Sequence, residues 1–208
     1  MKFLAPLAET PIGRALIAYA ADLPRWTAAN ILFALALAPS LLAFYLGDFL
    51  LTILLAFPAL FALSGQCRAL APVTEGRAPH WSDFLRANFF VALSLWAALA
   101  VPLVLLLLNP PTIFFGLLCI IVVILLLVAP FILCLPALLP IGVRLVWRNA
   151  LVLAIHAPIV ALGLVVLMGI LAAVIIASRG ALIIALPALW SSIAIFSTHQ
   201  LLRDLSPP

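Results

Sequence analysis

The sequence predicts an all-α, polytopic membrane protein, and three observations predict it. Hydrophobic residues make up 68% of the 208 residues and the mean hydropathy is +1.41, where a soluble domain has about 45–50% apolar residues. Charged residues are only 8%, against about 25% in soluble domains, too few to solvate a globule of this size. Apolar runs of about 20 residues, the length that crosses a hydrocarbon core, recur between short polar breaks.

Residues 1–27 read as a cytoplasmic N-terminal amphipathic segment. Thr10-Pro11 has the form of a helix start, with Thr as N-cap and Pro at the first helical position. Ile12, Leu16 and Tyr19 then share a face, with Arg14 and Asp22 elsewhere. Glu9, Arg14 and several prolines interrupt the start of the chain, so it is not read as a signal peptide. Residues 28–198 read as a bundle of six transmembrane helices arranged as three hairpins: 28–46, 49–64, 88–108, 113–139, 151–177 and 181–198. Gly47-Asp48 splits the first long apolar run, Asn109-Pro110-Pro111-Thr112 closes the third span, and Ser178-Arg179-Gly180 closes the fifth. Pro130 and Pro136 predict a kink or strong tilt in the fourth. Residues 199–208 read as a cytoplasmic tail.

Charge placement predicts the orientation. With the N-terminus in the cytoplasm, Lys2, Arg14, Arg25, Arg68, Arg77, Arg86, Arg144, Arg148 and Arg203 are all inside and only Arg179 is outside, as the positive-inside rule requires. The expected location is therefore the inner membrane of a bacterium, with both termini cytoplasmic. Ten basic residues distributed this way form no nucleic-acid-binding face. Cys67, Cys119 and Cys134 are an odd set in apolar sequence and imply no disulfide framework. Cys119 and Cys134, on one predicted helix, are roughly 22 Å apart at 1.5 Å per residue.

The spans offer little chemistry. A charge at the bilayer centre costs about 2.5–3.5 kcal/mol, so one that persists there normally serves a function. All six carboxylates, Glu9, Asp22, Asp48, Glu75, Asp83 and Asp204, fall outside the predicted spans, which argues against ion-coupled pumps and proton relays. His156, in His156-Ala157-Pro158, is the one titratable group drawn into a helix and reads as an interfacial side chain, with a ligand or relay role as the alternative. There is no His-Glu-x-x-His zinc motif, no metal-ligand spacing around His80 or His199, no phosphate-cradling glycine loop, and only an incomplete serine-protease pattern at Ser64-Gly65. No enzyme activity and no cofactor are expected.

Two further patterns stand out. Arg25…Asn30, Arg86…Asn88 and Arg148-Asn149 place an Arg and then an Asn at the start of each odd span, and Pro-Ala-Leu recurs at 58–60, 136–138 and 187–189. A repeat of three hairpins would produce this echo. The segment from Gln66 to Ala87 is the longest polar stretch between spans. Its Trp81, Phe84 and Leu85 share a face, with Arg77 and Arg86 nearby, so Arg77, Trp81, Phe84 and Arg86 are the candidate partner-docking residues. Asn30, Asn88, Asn149 and His156 are the candidate polar positions of the bundle.

The order of motifs resembles the YesL family of bacterial membrane proteins, a family known mainly as a domain of unknown function. The likeness is carried by Asn30-Ile31-Leu32-Phe33, by Pro58-Ala59…Ala62-Leu63 with Arg68, by Trp81-Ser82-Asp83-Phe84-Leu85-Arg86-Ala87-Asn88-Phe89, and by Asn149-Ala150-Leu151…His156-Ala157-Pro158. Leu60 stands where that family has Thr, and Lys is scarcer than in many members. The resemblance implies a six-helix bundle associated with carbohydrate uptake systems and their sensor kinases, and it brings no catalytic residues.

Two functional expectations follow. One is a non-catalytic subunit, accessory or regulatory to a larger membrane assembly such as a carbohydrate ABC-type uptake system, with the lipid bilayer and a permease or sensor as partners. The other is an autonomous transporter or channel for a neutral or lipophilic solute. A cavity lined by Asn30, Asn88, Asn149, Ser94 and Ser191 would favour the transporter, and a close-packed interior the subunit.

Overall fold

A computed structural model describes residues 10–75, 77, 81–86, 88–108, 110–178, 181–184 and 186–205. Lys2, Glu9, His80, Asn109 and Arg179 lie outside the described residues. The protein is an all-α polytopic membrane protein. Among the described residues, five segments are long and apolar enough to cross a membrane: Leu23–Tyr45, Phe49–Glu75, Phe89–Leu107, Thr112–Leu138 and Pro158–Ala177.

Helix α1, Pro11–Ala21, begins as the sequence predicts: the Thr10 hydroxyl accepts from the Gly13 amide at 3.0 Å and Pro11 opens the first turn. It packs against the last helix. Ala15 is buried and Ala18 and Tyr19 are half-buried, while Ile12, Leu16 and Ile17 are exposed. The face shared by Ile12 and Leu16 therefore points away from the protein, and the small residues make the contact. Helix α2, Leu23–Tyr45, follows after Asp22 and is capped by Leu46, after which Gly47, with a φ of +79°, takes a left-handed conformation that glycine adopts without a Cβ clash. Asp48 then caps helix α3, Phe49–Leu54, by accepting from the Leu51 amide at 2.9 Å.

The second predicted span is broken. Helix α4, Phe57–Leu70, restarts after Leu55 and Ala56 because Pro58 has no amide hydrogen and its ring would clash with the Leu54 carbonyl four residues back. The carbonyls beside the break find new donors. The Ser40 hydroxyl of α2 donates to Thr52 O at 2.8 Å, and the Trp96 indole N–H donates to Ile53 O at 2.9 Å. This is how a broken helix is tolerated where water is absent. Two 3₁₀ turns follow, Ala71–Glu75 and Trp81–Arg86. Helix α5, Phe89–Leu107, is capped by Asn88, and helix α6, Thr112–Leu138, contains Pro130 and Pro136.

The fifth predicted span, 151–177, is two helices. Helix α7, Val143–His156, and helix α8, Pro158–Ala177, meet at Ala157. Pro158 suits the first turn of a helix and not its interior. Helix α9, Leu186–Leu205, corresponds to the sixth predicted span, 181–198, but differs from it in character. Pro187, Ala188, every residue from Trp190 to Phe196, and Thr198 are buried, and the helix packs against α1, α2, α4, α6 and α8. Because protein rather than lipid surrounds it, it tolerates Ser191, Ser192 and Thr198. Each of these hydroxyls is hydrogen-bonded, Ser192 and Thr198 to carbonyls one turn back. The Ala188 amide meets Asn30, about two turns into α2, and Trp190 meets the Leu164 carbonyl, about two turns into α8. Helix α9 thus starts inside the bundle, reached by the 3₁₀ turn Ala181–Ile184 running along α2.

Packing is unevenly distributed along the bundle. The core gathers the start of α2 (Trp26, Ala29, Phe33), the end of α4 (Cys67, Leu70), the start of α5 (Val91, Leu95), the end of α6 (Phe131, Ile132, Leu135) and α9. The opposite halves of two helices contribute only half-buried side chains at its edge, Leu127 on α6 and Leu167 and Leu171 on α8. No residue of α6 before Val128, and none of α8 after Leu164, is buried.

Candidate functional site

The interior of the core holds a polar cluster tying three helices together. The Asn30 carbonyl oxygen, on α2, accepts from the Ala188 backbone amide at 2.8 Å and from Gln66 Nε2 at 3.3 Å. Gln66, on α4, also donates to Ala29 O at 3.2 Å, and its own carbonyl accepts from the Ser191 hydroxyl of α9 at 2.9 Å. Asn30, Gln66 and Ser191 are all 0% exposed. The first amides of a helix have no intrahelical acceptor, and α9 begins inside the protein, so Asn30 serves from another helix as its cap. The sequence pointed to Asn30 and Ser191 but not to Gln66, which lies on α4 just before Arg68.

The other candidate polar positions do not join this cluster. Asn88 accepts from the Val91 amide at 3.2 Å and caps α5. Ser94, one turn on, accepts from the Trp147 indole N–H at 3.0 Å and donates to Val91 O. Asn149 lies half-buried on α7 and His156 is exposed at its end. The five residues that would line a transport cavity are therefore dispersed: Asn30 and Ser191 are joined through Gln66, Ser94 is bonded to Trp147, and Asn88 is a cap. The three Asn residues of the Arg–Asn echo also have unlike positions. Of the Pro-Ala-Leu triplets, those at Pro58 and Pro187 open helices, whereas Pro136 is near the end of α6.

The candidate docking residues divide in the same way. Phe84 is 9% exposed and packs on α4 at Gly65. A Cβ at Gly65 would lie 2.6 Å from the Phe84 carbonyl oxygen, so only glycine allows the 3₁₀ turn to come this close. Phe84 therefore anchors the turn to the core. Arg77 is exposed and paired with Glu75. The side chains of Trp81 and Arg86 lie outside the described part.

Two more features emerge from the fold. Cys67 of α4 and Cys134 of α6 are buried with their sulfurs 3.4 Å apart as free thiols; Cys119 lies elsewhere on α6. Spacing along one chain segment could not reveal this pair, because its members are 67 residues apart. At the end of the bundle where α1, the loop after α4 and the C-terminal turns of α9 meet, two adjoining clefts of about 380 and 450 Å³ share His199 and Arg203. Burial, and after it the positive field of Arg203, lowers the His199 pKa from its usual value; Glu75 acts in the opposite sense and Arg14 adds to the lowering. Among the described residues, no group of three or more His, Cys, Asp or Glu could hold a metal ion.

Comparison with known proteins finds no matching family model, no matching curated protein and no matching solved structure.

Proposed function

We propose that this chain is a non-catalytic membrane subunit, accessory or regulatory to a larger membrane assembly. One observation carries the reading. The halves of α6 and α8 farthest from the core, residues 113–127 and 165–177, have no buried residue, although both helices are long enough to span. Gly116, Gly163 and Gly169 sit on these helices with nothing within 4 Å of where a Cβ would be. Glycine on a membrane helix permits close approach of another helix, and these positions are open for one. The engagement of Asn30, Gln66, Ser191 and Ser94 in hydrogen bonds within the bundle supports the same reading, because a solute path through them would have to break those bonds.

The proposal extends to a bacterial inner membrane with both termini cytoplasmic, on the partition of cations, and to the absence of enzyme activity. A carbohydrate uptake permease or its sensor as the partner rests on the YesL-like order of motifs alone.

The test is site-specific photo-crosslinking in the host membrane, with a benzophenone side chain placed at Leu117, Ile120, Val166 or Ile170. The expected result is one discrete protein adduct, shared by α6 and α8 positions and absent from a probe on α1 at Ile17. Adducts to lipid only, at all four sites, would overturn the subunit reading.

A further inference from the structure

From the two clefts at the polar end of the bundle we infer a binding site for an anionic phosphate group, carried by a membrane lipid headgroup or by a small phosphate ester. The site is assembled from segments distant in sequence. Arg14 comes from α1, Arg68 from the end of α4, Arg77 from the loop that follows, and His199 and Arg203 from α9. Four arginines face three carboxylates there, Glu75, Asp83 and Asp204, so the lining is net positive. Glu75 is engaged by Arg77, and among the described residues no ion pair holds Arg14, Arg68 or Arg203. Arginine's planar fork suits a phosphate, whose oxygens accept two parallel hydrogen bonds. His199, shared by both clefts, has its pKa lowered by burial and then by Arg203, with Arg14 adding to the lowering and Glu75 opposing it, and its imidazole carries an N–H that can donate to a phosphate oxygen.

The depth of the site favours a lipid source. Arg14 stands on a helix whose Ile12, Leu16 and Ile17 are exposed, which is how an interfacial helix lies with its apolar face among acyl chains. A cleft beside a helix lying in that way would open at the level of the headgroups. Cleft volumes of 380 and 450 Å³ are within the range that holds small ligands.

The protein, purified in a neutral detergent, is titrated with dihexanoyl phosphatidylglycerol, dihexanoyl phosphatidylcholine and glycerol 1-phosphate, and adducts are counted by native mass spectrometry. Saturable binding of the phosphatidylglycerol above the phosphatidylcholine is expected, weakening as sodium chloride rises. Arg14 and Arg203 are both exposed, so Arg14→Gln with Arg203→Gln should spare the fold and weaken binding about 25-fold. Glycerol 1-phosphate binding as tightly as the lipid would make a free phosphate ester the source and keep the site. The proposal is overturned if neither anion binds above phosphatidylcholine, if binding ignores salt, or if the folded double variant binds undiminished.

Discussion

Asn30 and His156 show how differently two polar residues in membrane sequence can be used. Asn30 is fully buried and caps α9 through the Ala188 amide, while His156 is exposed at the end of α7. Removing the Asn30 side chain leaves a buried backbone donor without its acceptor, a loss of about 1–3 kcal/mol. The low end applies if the unfolded chain finds other partners in the membrane. Asn30→Ala should therefore lower the midpoint of denaturant unfolding in detergent micelles, and His156→Gln should change stability by less than about 0.5 kcal/mol. Equal effects would mean that Asn30 does not hold the start of α9. At this scale the sequence was half legible. An Asn in an apolar span must find a partner, and that pointed to Asn30. Its partners, Gln66 and Ala188, are 36 and 158 residues away, and local pattern carries no information about such distances.

Elements were legible where the chain itself contains the reason. Thr10-Pro11, Gly47-Asp48 and the helices α5 and α6 fall within a residue or two of where capping and breaking residues place them. The breaks at Ala56 and Ala157 were written in Pro58 and Pro158 as well, but proline alone does not say whether a membrane helix kinks or stops. That depends on donors from other helices, such as Ser40 and Trp96 here. The 3₁₀ turn Trp81–Arg86 differs from its sequence reading for a related reason: an apolar face shows that something covers it, not whether the cover is lipid, a partner or α4. Its seat is Gly65. Gly65→Ala would place a methyl group 2.6 Å from the Phe84 carbonyl, and overpacking of this kind costs about 1–3 kcal/mol. The backbone of the turn must move away. Trypsin should then cut at Arg77 faster than in the parent protein. Gly163→Ala on α8, with nothing within 4 Å, should leave the cleavage rate unchanged. Unchanged cleavage in both would place the turn elsewhere.

The whole molecule has a packed half and an open half. The core and the clefts, with Arg14, Arg68, Arg77 and Arg203, lie toward one end, and apolar helix surface without a buried residue toward the other. Composition foreshadowed the membrane, and the charge partition makes a prediction of sidedness. They could not show that α9 starts inside the bundle, because nothing in an apolar run marks the depth at which a chain turns back. The arrangement makes sidedness testable without assuming which side is which. Arg77 and Arg203 line the same cleft, so they must face the same compartment. Pro110 follows α5, whose 19 residues extend about 28 Å from the Asn88 end, and so faces the opposite one. Single cysteines at positions 77, 203 and 110, in a background with Cys67, Cys119 and Cys134 replaced by Ser, are labelled with a membrane-impermeant maleimide. In intact cells Pro110→Cys should react, whereas Arg77→Cys and Arg203→Cys should react only in inside-out vesicles. The positive-inside bias predicts that direction. If all three reactivities are reversed, the orientation is wrong and the fold stands; if Arg77→Cys and Arg203→Cys react from opposite faces, the fold itself is wrong.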